Sequence, residues 1–277
     1  MDEPLPYRAK KWLLQRLSTG KASTQLQRLD ETDWDILLVL DACSVDVLRA
    51  VADWPVETVR SPASCTPEWL DAVDRSGVFE TAHVVSANAQ YTKTNPAETL
   101  ERYWESHWDD DLSTVRPEPV LNRVDSLAGK QPTVAHLQQP HWPYVAKLGQ
   151  QWKIAYPDIG PWSTENGDID SLQVAMARGH VDLSMARQAY QASVRSIWGT
   201  IRPYLNRWDE ESRTVIVTAD HGETFGRLGE LGFYEHPCGC HIPPLVDVPW
   251  IEITQDTHAN RTEPMVEDRL KALGYAE

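Results

Sequence analysis

The segment Thr218-Ala-Asp-His-Gly-Glu-Thr-Phe-Gly226 sets an oxygen ligand, Asp220, directly beside a nitrogen ligand, His221. A carboxylate and an imidazole together suit Zn²⁺ or Mn²⁺ better than Ca²⁺. Gly222 lets the chain turn tightly, and Glu223 is placed to orient His221 by accepting from its second ring nitrogen. A second carboxylate, Asp41, closes the apolar run DILLVLDA. Far from both, SPASCTPEWL puts three potential nucleophiles, Ser64, Cys65 and Thr66, ahead of Pro67 and Glu68. Proline at the first helical position, an acid in the first turn and Ser or Thr in front make a good helix start. On its own this stretch reads as a helix cap. Cys238-Gly-Cys240-His241 also invites a metal, but no further ligands stand at matching spacing, and it reads as a loop.

Asp41 and Asp220 end runs that are continuously apolar rather than alternating, over residues 35–42 and 213–222. Strands buried on both faces have this pattern. Shorter strand candidates occupy residues 83–88, 133–138 and 248–254. Helical patterns cover residues 67–75, 96–106, 169–205 with a break at Gly179, and 264–273, which Gly274 ends. Residues 109–130 and 146–167 read as long loops. Strands alternating with helices predict an α/β fold with a doubly wound, mostly parallel central sheet flanked by helices, as one domain over residues 1–277. In such sheets ligands bind beyond the carboxyl ends of the strands, where Asp41 and Asp220 are able to meet.

With 277 residues, 41% of them hydrophobic and 12 of them tryptophan, the chain has enough apolar surface for one sizeable core. A formal net charge of -15 argues against nucleic acid as a partner. Only 8 lysines accompany 18 arginines against 41 acids, a composition expected of a halophilic protein, since salt screens the self-repulsion. Four cysteines at irregular spacing do not form a disulfide framework, so a reducing, cytoplasmic setting is expected. No apolar run has the length of a membrane span, and the charged opening is not expected to be a signal peptide. Residues 1–30 read as a peripheral helical segment, with Leu13, Leu14 and Leu17 on one face and Lys10, Lys11 and Arg16 around it. Such a helix covers the domain or touches a membrane surface.

Several segments in order resemble the alkaline phosphatase-like and sulfatase superfamily. ILLVLDACSVD is similar to its first strand, whose closing Asp binds metal, and SPASCT to the segment carrying the nucleophile. HLQQPHWPY resembles the His-x-x-x-Pro-His-x-Pro-Tyr segment used near the substrate, and VTADHGETFG, YEHP and VPWIEI the second metal strand and its sequel. The ending RLKALGY is also common in sulfatases.

The resemblance implies a divalent metal, Zn or Mn before Ca or Mg, on Asp41, Asp220 and His221, with His236 as a further ligand or substrate contact. It implies a nucleophile at a helix N-terminus, where backbone N–H groups favour an anion. Thr66 matches the threonine register. Cys65 is the alternative, in the register where cysteine becomes formylglycine, but Trp69 stands where that sequence has arginine. Ser64 is then a cap or anion contact, and His141, with His136 and Lys147, carries substrate oxygens or protonates the leaving group. Asp41 is followed by Ala42 rather than a second Asp, so one metal is expected. The implied activity is hydrolysis of a small anionic sulfate or phosphate ester through a covalent intermediate. The alternatives are a headgroup phosphotransferase or phosphodiesterase on a lipid or glycan, and a non-catalytic anion binder.

Overall fold

The computed structural model describes residues 5–17, 23–159 and 171–254. Its centre is β1 (Ile36–Leu40), five apolar residues all buried because neighbours cover both faces of the strand. β2 (Glu57–Arg60), β3 (His83–Ser86) and β4 (Thr99–Arg102) follow, then a two-residue ladder of β5 (Trp108–Asp109) with β6 (Thr114–Val115). β7 (Thr133–Leu137), a hairpin of β8 (Val145–Leu148) with β9 (Gln151–Ile154), β10 (Val215–Thr218) and β11 (Asp247–Ile253) complete the strands. The main sheet has seven strands in the order β2-β11-β10-β1-β7-β3-β4. From β10 to β4 every pair is parallel. β11 runs antiparallel between β10 and β2, which makes the sheet mixed at one side.

Helices flank the sheet. α1 (Leu5–Leu17) and α2 (Thr24–Glu31) precede β1, and α3 (Val45–Arg49) and α4 (Thr66–Ser76) follow it. α5 (Tyr103–Ser106), α6 (Pro117–Leu127), α7 (Leu172–Ala177) and α8 (Leu183–Glu210) come later. Residues 99–102, read from sequence as helix, instead extend the sheet beside β3, where backbone pairing outweighs local propensity. The 109–130 stretch, read as loop, carries α6, whose Val120, Leu121, Val124 and Leu127 are buried at helical spacing. The expected 146–167 loop begins with the β8–β9 hairpin. The break expected at Gly179 separates α7 from α8, with the glycine at φ 71°. The helix expected over residues 264–273 lies outside the described residues.

Two side chains, Gln25 and Tyr190, lock the sheet to the helices near the strand ends. Gln25 of α2, fully buried, donates to Thr218 Oγ1 at 2.8 Å and the Ala219 carbonyl at 2.7 Å, and accepts from Trp69 Nε1 at 2.9 Å. The end of β10 and helix α4 are thereby held to one another. Tyr190 of α8 donates to the Ala42 carbonyl at 2.8 Å and accepts from the Ser44 amide at 2.7 Å. It steadies Ala42, which takes a left-handed φ of 58° directly after Asp41.

Candidate active site

The carboxyl ends of β1 and β10, side by side in the sheet, carry Asp41 and the Asp220-His221 pair. Across them, α4 starts at Thr66 with Pro67 in its first turn. Thr66 is thus the first helical residue rather than the cap; Cys65 holds the cap position with no side-chain capping bond. Thr66 Oγ1 donates to Asp220 Oδ2 at 2.7 Å and lies 3.3 Å from His221 Nε2. His221 Nε2 is 3.5 Å from Asp220 Oδ2 and 3.6 Å from Asp41 Oδ1.

Each ligand atom is aimed by its second contacts. Asp220 Oδ1 accepts from the backbone amides of Ala42 (3.1 Å) and His221 (2.8 Å), leaving Oδ2 for Thr66. His221 Nδ1 faces the Gly222 carbonyl at 2.8 Å, which leaves Nε2 as a bare lone pair toward the acids. Gly222 is required here, since a Cβ would collide with the Pro244 carbonyl. Asp41 Oδ2 accepts from Asn88 Nδ2 at 2.6 Å and from Gln138 Nε2 at 3.4 Å. Asp41 Oδ1 is buried with no hydrogen-bond partner.

That orphaned oxygen tests the site for a metal. A buried carboxylate oxygen without a donor is costly, and one atom each from Asp41, Asp220 and His221 lies within 4.8 Å of the others. Two oxygens and one nitrogen fit a divalent ion such as Zn²⁺ or Mn²⁺. Burial and Asp220 push the Asp41 pKa well above the usual carboxylate range. Burial also pushes Asp220 upward, but His221, His136 and the Thr66 hydroxyl outweigh it and hold Asp220 below its ordinary value.

A second pair of imidazoles stands beside this trio. His141 Nδ1 lies against the Trp142 carbonyl, and His236 Nδ1 against both oxygens of Glu223 at 3.2 Å. Their Nε2 atoms consequently face each other, 3.3 Å apart. Glu223 therefore orients His236, not His221, and buried as it is its pKa is pushed up to about 7. Burial and the facing His236 lower His141 to about 4, and burial lowers His236 as well.

Three other residues singled out in the sequence sit elsewhere. His136, on β7, is fully buried behind Asp220, with Nε2 3.7 Å from Asp220 Oδ2 and Nδ1 3.2 Å from Tyr91 Oη, so it supports the ligand rather than reaching substrate. Lys147 pairs with Glu118 at 2.9 Å and lies over the Trp152 ring, away from the strand ends. Ser64 Oγ donates to the Pro237 carbonyl at 2.8 Å and accepts from the Cys240 amide at 3.1 Å, neither capping α4 nor facing the cavity.

Cys65 corrects two expectations. It is disulfide-bonded to Cys238 across 173 residues, so the cysteines are not all reduced and Cys65 has no thiol to offer. Cys43 and Cys240 remain free and buried. The disulfide joins the residue before Thr66 to the loop that carries His236. Asn88, Gln138 and Lys11 also line the cavity of about 470 Å³ above Thr66, and the sequence reading named none of them as a site residue. Asn88 lies just past the carboxyl end of β3, the position in parallel sheets where ligands gather, so a signal for it was present.

No family model and no curated protein matches the chain. Solved structures do. The integral membrane lipooligosaccharide phosphoethanolamine transferase A of Neisseria meningitidis aligns over 81% of this chain and 48% of its own, at 12% identity and a TM-score of 0.54. Its soluble domain, solved alone, aligns over 82% of this chain and 77% of its own, at 12% identity and a TM-score of 0.52. The chain spans about half the length of the full transferase. At such identity the likeness concerns the fold alone: a seven-stranded, mostly parallel sheet flanked by helices.

Proposed function

We propose that this protein transfers a phosphoryl-bearing group from a small anionic phosphate ester, in a metal-dependent reaction through a covalent intermediate on Thr66. The observation that carries this reading is the placement of Thr66 Oγ1. It lies at the start of α4, 2.7 Å from Asp220 Oδ2, next to the unpartnered Oδ1 of Asp41. A divalent ion, Zn or Mn before Ca or Mg, held by Asp41, Asp220 and His221, would supply the positive charge that lowers the pKa of the Thr66 hydroxyl and offsets charge on the ester oxygens.

The chain's own groups do the rest. The Thr66 hydroxyl loses its proton to solvent in the cavity, and the Thr66 oxygen attacks phosphorus in line. The Thr66 O–P bond forms as the ester P–O bond breaks. Backbone N–H groups at the start of α4 face the anion. The departing oxygen takes a proton from the His141–His236 pair, which lines the same cavity. Water resolving the intermediate gives hydrolysis; an alcohol gives transfer. The phosphoethanolamine transferases of similar fold favour an acceptor alcohol, and headgroup transfer is the second reading.

Phosphate esters are preferred over sulfate esters because the formylglycine route needs a free cysteine, and Cys65 is in a disulfide. The same disulfide favours an oxidising location over a reducing cytoplasm. The test is turnover of aryl phosphate, phosphodiester and sulfate probes with Mn²⁺, Zn²⁺, Mg²⁺ or Ca²⁺, with mass spectrometry of the Thr66 peptide after acid quench. Phosphate-ester turnover with a modified Thr66 is expected. An unmodified Thr66 during active turnover, or no turnover of any probe, overturns the reading.

A further inference from the structure

α1 covers the domain with one side and displays an apolar strip on the other. Tyr7 and Leu14 pack on a buried cluster of Phe233, Cys240, Ile242 and Leu245. Gln15 Nε2 donates to the Cys238 carbonyl at 2.9 Å, and Lys10 Nζ donates to the Leu231 carbonyl. Leu14 points inward while Trp12 and Leu13 are about half exposed, so Leu13 and Leu14 do not share a face as the sequence reading has them.

The Lys10 bond lays the turn Leu228–Glu230 against α1. That turn leaves Leu228 95% exposed, and Leu231, which ends it, is about half exposed. Leu13 stands one helical turn beyond Lys10, on the side of α1 that meets the turn. Trp12, Leu13, Leu228 and Leu231 thus line one rim. A single exposed leucine needs no explanation, but large apolar side chains gathered on neighbouring elements mark an interaction surface.

Charge singles out the same rim. The chain carries a net -15, yet α1 holds Arg8, Lys10, Lys11 and Arg16 and no acid. The Arg16 guanidinium lies over the Trp12 ring at 4.2 Å, and Arg227, more than half exposed, opens the turn. The acids of this region are engaged elsewhere. Glu230 is buried and accepts from the Phe225 and Arg227 amides at 2.7 and 3.0 Å, and Glu235 pairs with Lys11 at 2.9 Å. An apolar strip bordered by cations complements an anionic lipid surface, with indole at the headgroup level and guanidinium groups beside the phosphates. The acidic remainder of the chain is repelled by the same surface, which turns this rim toward it. A two-fold pair of chains would instead set cations against cations.

We propose that the rim formed by α1 and the Leu228–Leu231 turn docks this protein on a bilayer of anionic phospholipid. The docking is independent of any chemistry at Thr66. Because α1 also lines the cavity above Thr66 through Lys11 and Gln15, docking holds that cavity beside the headgroups.

Flotation of the full chain with vesicles tests it, using phosphatidylcholine alone or mixed equally with phosphatidylglycerol. Binding to the anionic vesicles is expected to exceed binding to the neutral ones by about tenfold. Leu228→Asp, and the paired change Trp12→Ser and Leu13→Ser, should each lower it by about tenfold. Leu148→Asp, which changes an exposed leucine of the β8–β9 hairpin, should leave it unchanged. All these side chains are exposed, so the melting temperatures should match the wild type. If the α1 pair loosens its helix and melts lower, Leu228→Asp decides the outcome alone. Equal flotation with neutral vesicles, no flotation with either, or binding that survives Leu228→Asp overturns the proposal. So does a lipid-free dimer, seen by light scattering, that Leu228→Asp dissolves, since the rim then belongs to a second copy of the chain.

Discussion

Thr66 and Asp220 are 154 positions apart, yet their side chains meet in a buried 2.7 Å hydrogen bond at the joined ends of a helix and a strand. Thr66→Ala is expected to lower turnover by on the order of a thousandfold or more, because the attacking oxygen is gone. Thr66 is not the cap of α4, so the stability cost is that of one buried hydrogen bond, about 1–2 kcal/mol. Thr66→Ser should restore a measurable part of the rate. An active Thr66→Ala protein would remove Thr66 as nucleophile.

Metal should raise the melting temperature of the wild type by mass action, since the ligand set exists only in the folded chain. Two carboxylates and an imidazole bind a metal in competition with protons, so the metal-induced rise should grow as pH rises. Asp220→Asn removes a ligand charge and should abolish most of that rise. An equal rise in both proteins, measured by calorimetry with Mn²⁺ or Zn²⁺, would sink the site as drawn.

The Cys65–Cys238 disulfide should matter to both stability and rate. Opening it with reductant, or with the paired change Cys65→Ser and Cys238→Ser, is expected to cost about 2–5 kcal/mol. Turnover should fall with it, because the bond holds the start of α4 against the loop that positions His236. Unchanged melting and turnover after verified reduction would show that packing alone holds the two segments.

Glu68 offers a pH test outside the ligand set. Burial pushes its carboxyl up, but amide donors from Ser64 and Gly239, with His241 beside it, outweigh this and hold its pKa below the ordinary value. A depressed folded pKa means the stabilisation is present above the unfolded carboxylate range and is lost as pH falls through the folded value. Glu68→Gln should therefore be less stable at pH 7 by about 1 kcal/mol after solvent screening. The gap should close in acid. Denaturant melts of both proteins between pH 7 and 3 measure it, and a gap independent of pH would assign Glu68 a purely packing role.

What the sequence made legible follows from what is local. Asp41 and Asp220 stand out because each ends an unbroken apolar run, and parallel sheets gather such ends at one edge. α6 escapes the sequence reading, which takes residues 109–130 as loop: Val120, Leu121, Val124 and Leu127 stand at helical spacing, but acidic, proline-containing surroundings mask it. The disulfide was not legible, since nothing near Cys65 specifies a partner 173 residues away. Lys11 belongs to the same class: only the packing of Tyr7 and Leu14 on the Phe233 cluster brings α1 to the cavity. The partner of Glu223 was misread for a related reason. Proximity in sequence favours His221, but the fold turns that carboxylate toward His236.

The position of β1 has a consequence for how the chain is made. Its two neighbours are β7 and β10, so its second edge stays unpaired until residue 218 has left the ribosome. During that interval a strand of five consecutive apolar residues exposes free backbone donors and acceptors, the surface on which nascent chains aggregate. Yield of soluble protein should therefore depend on chaperone supply and translation speed. The Ile36–Leu40 segment is where that vulnerability is concentrated.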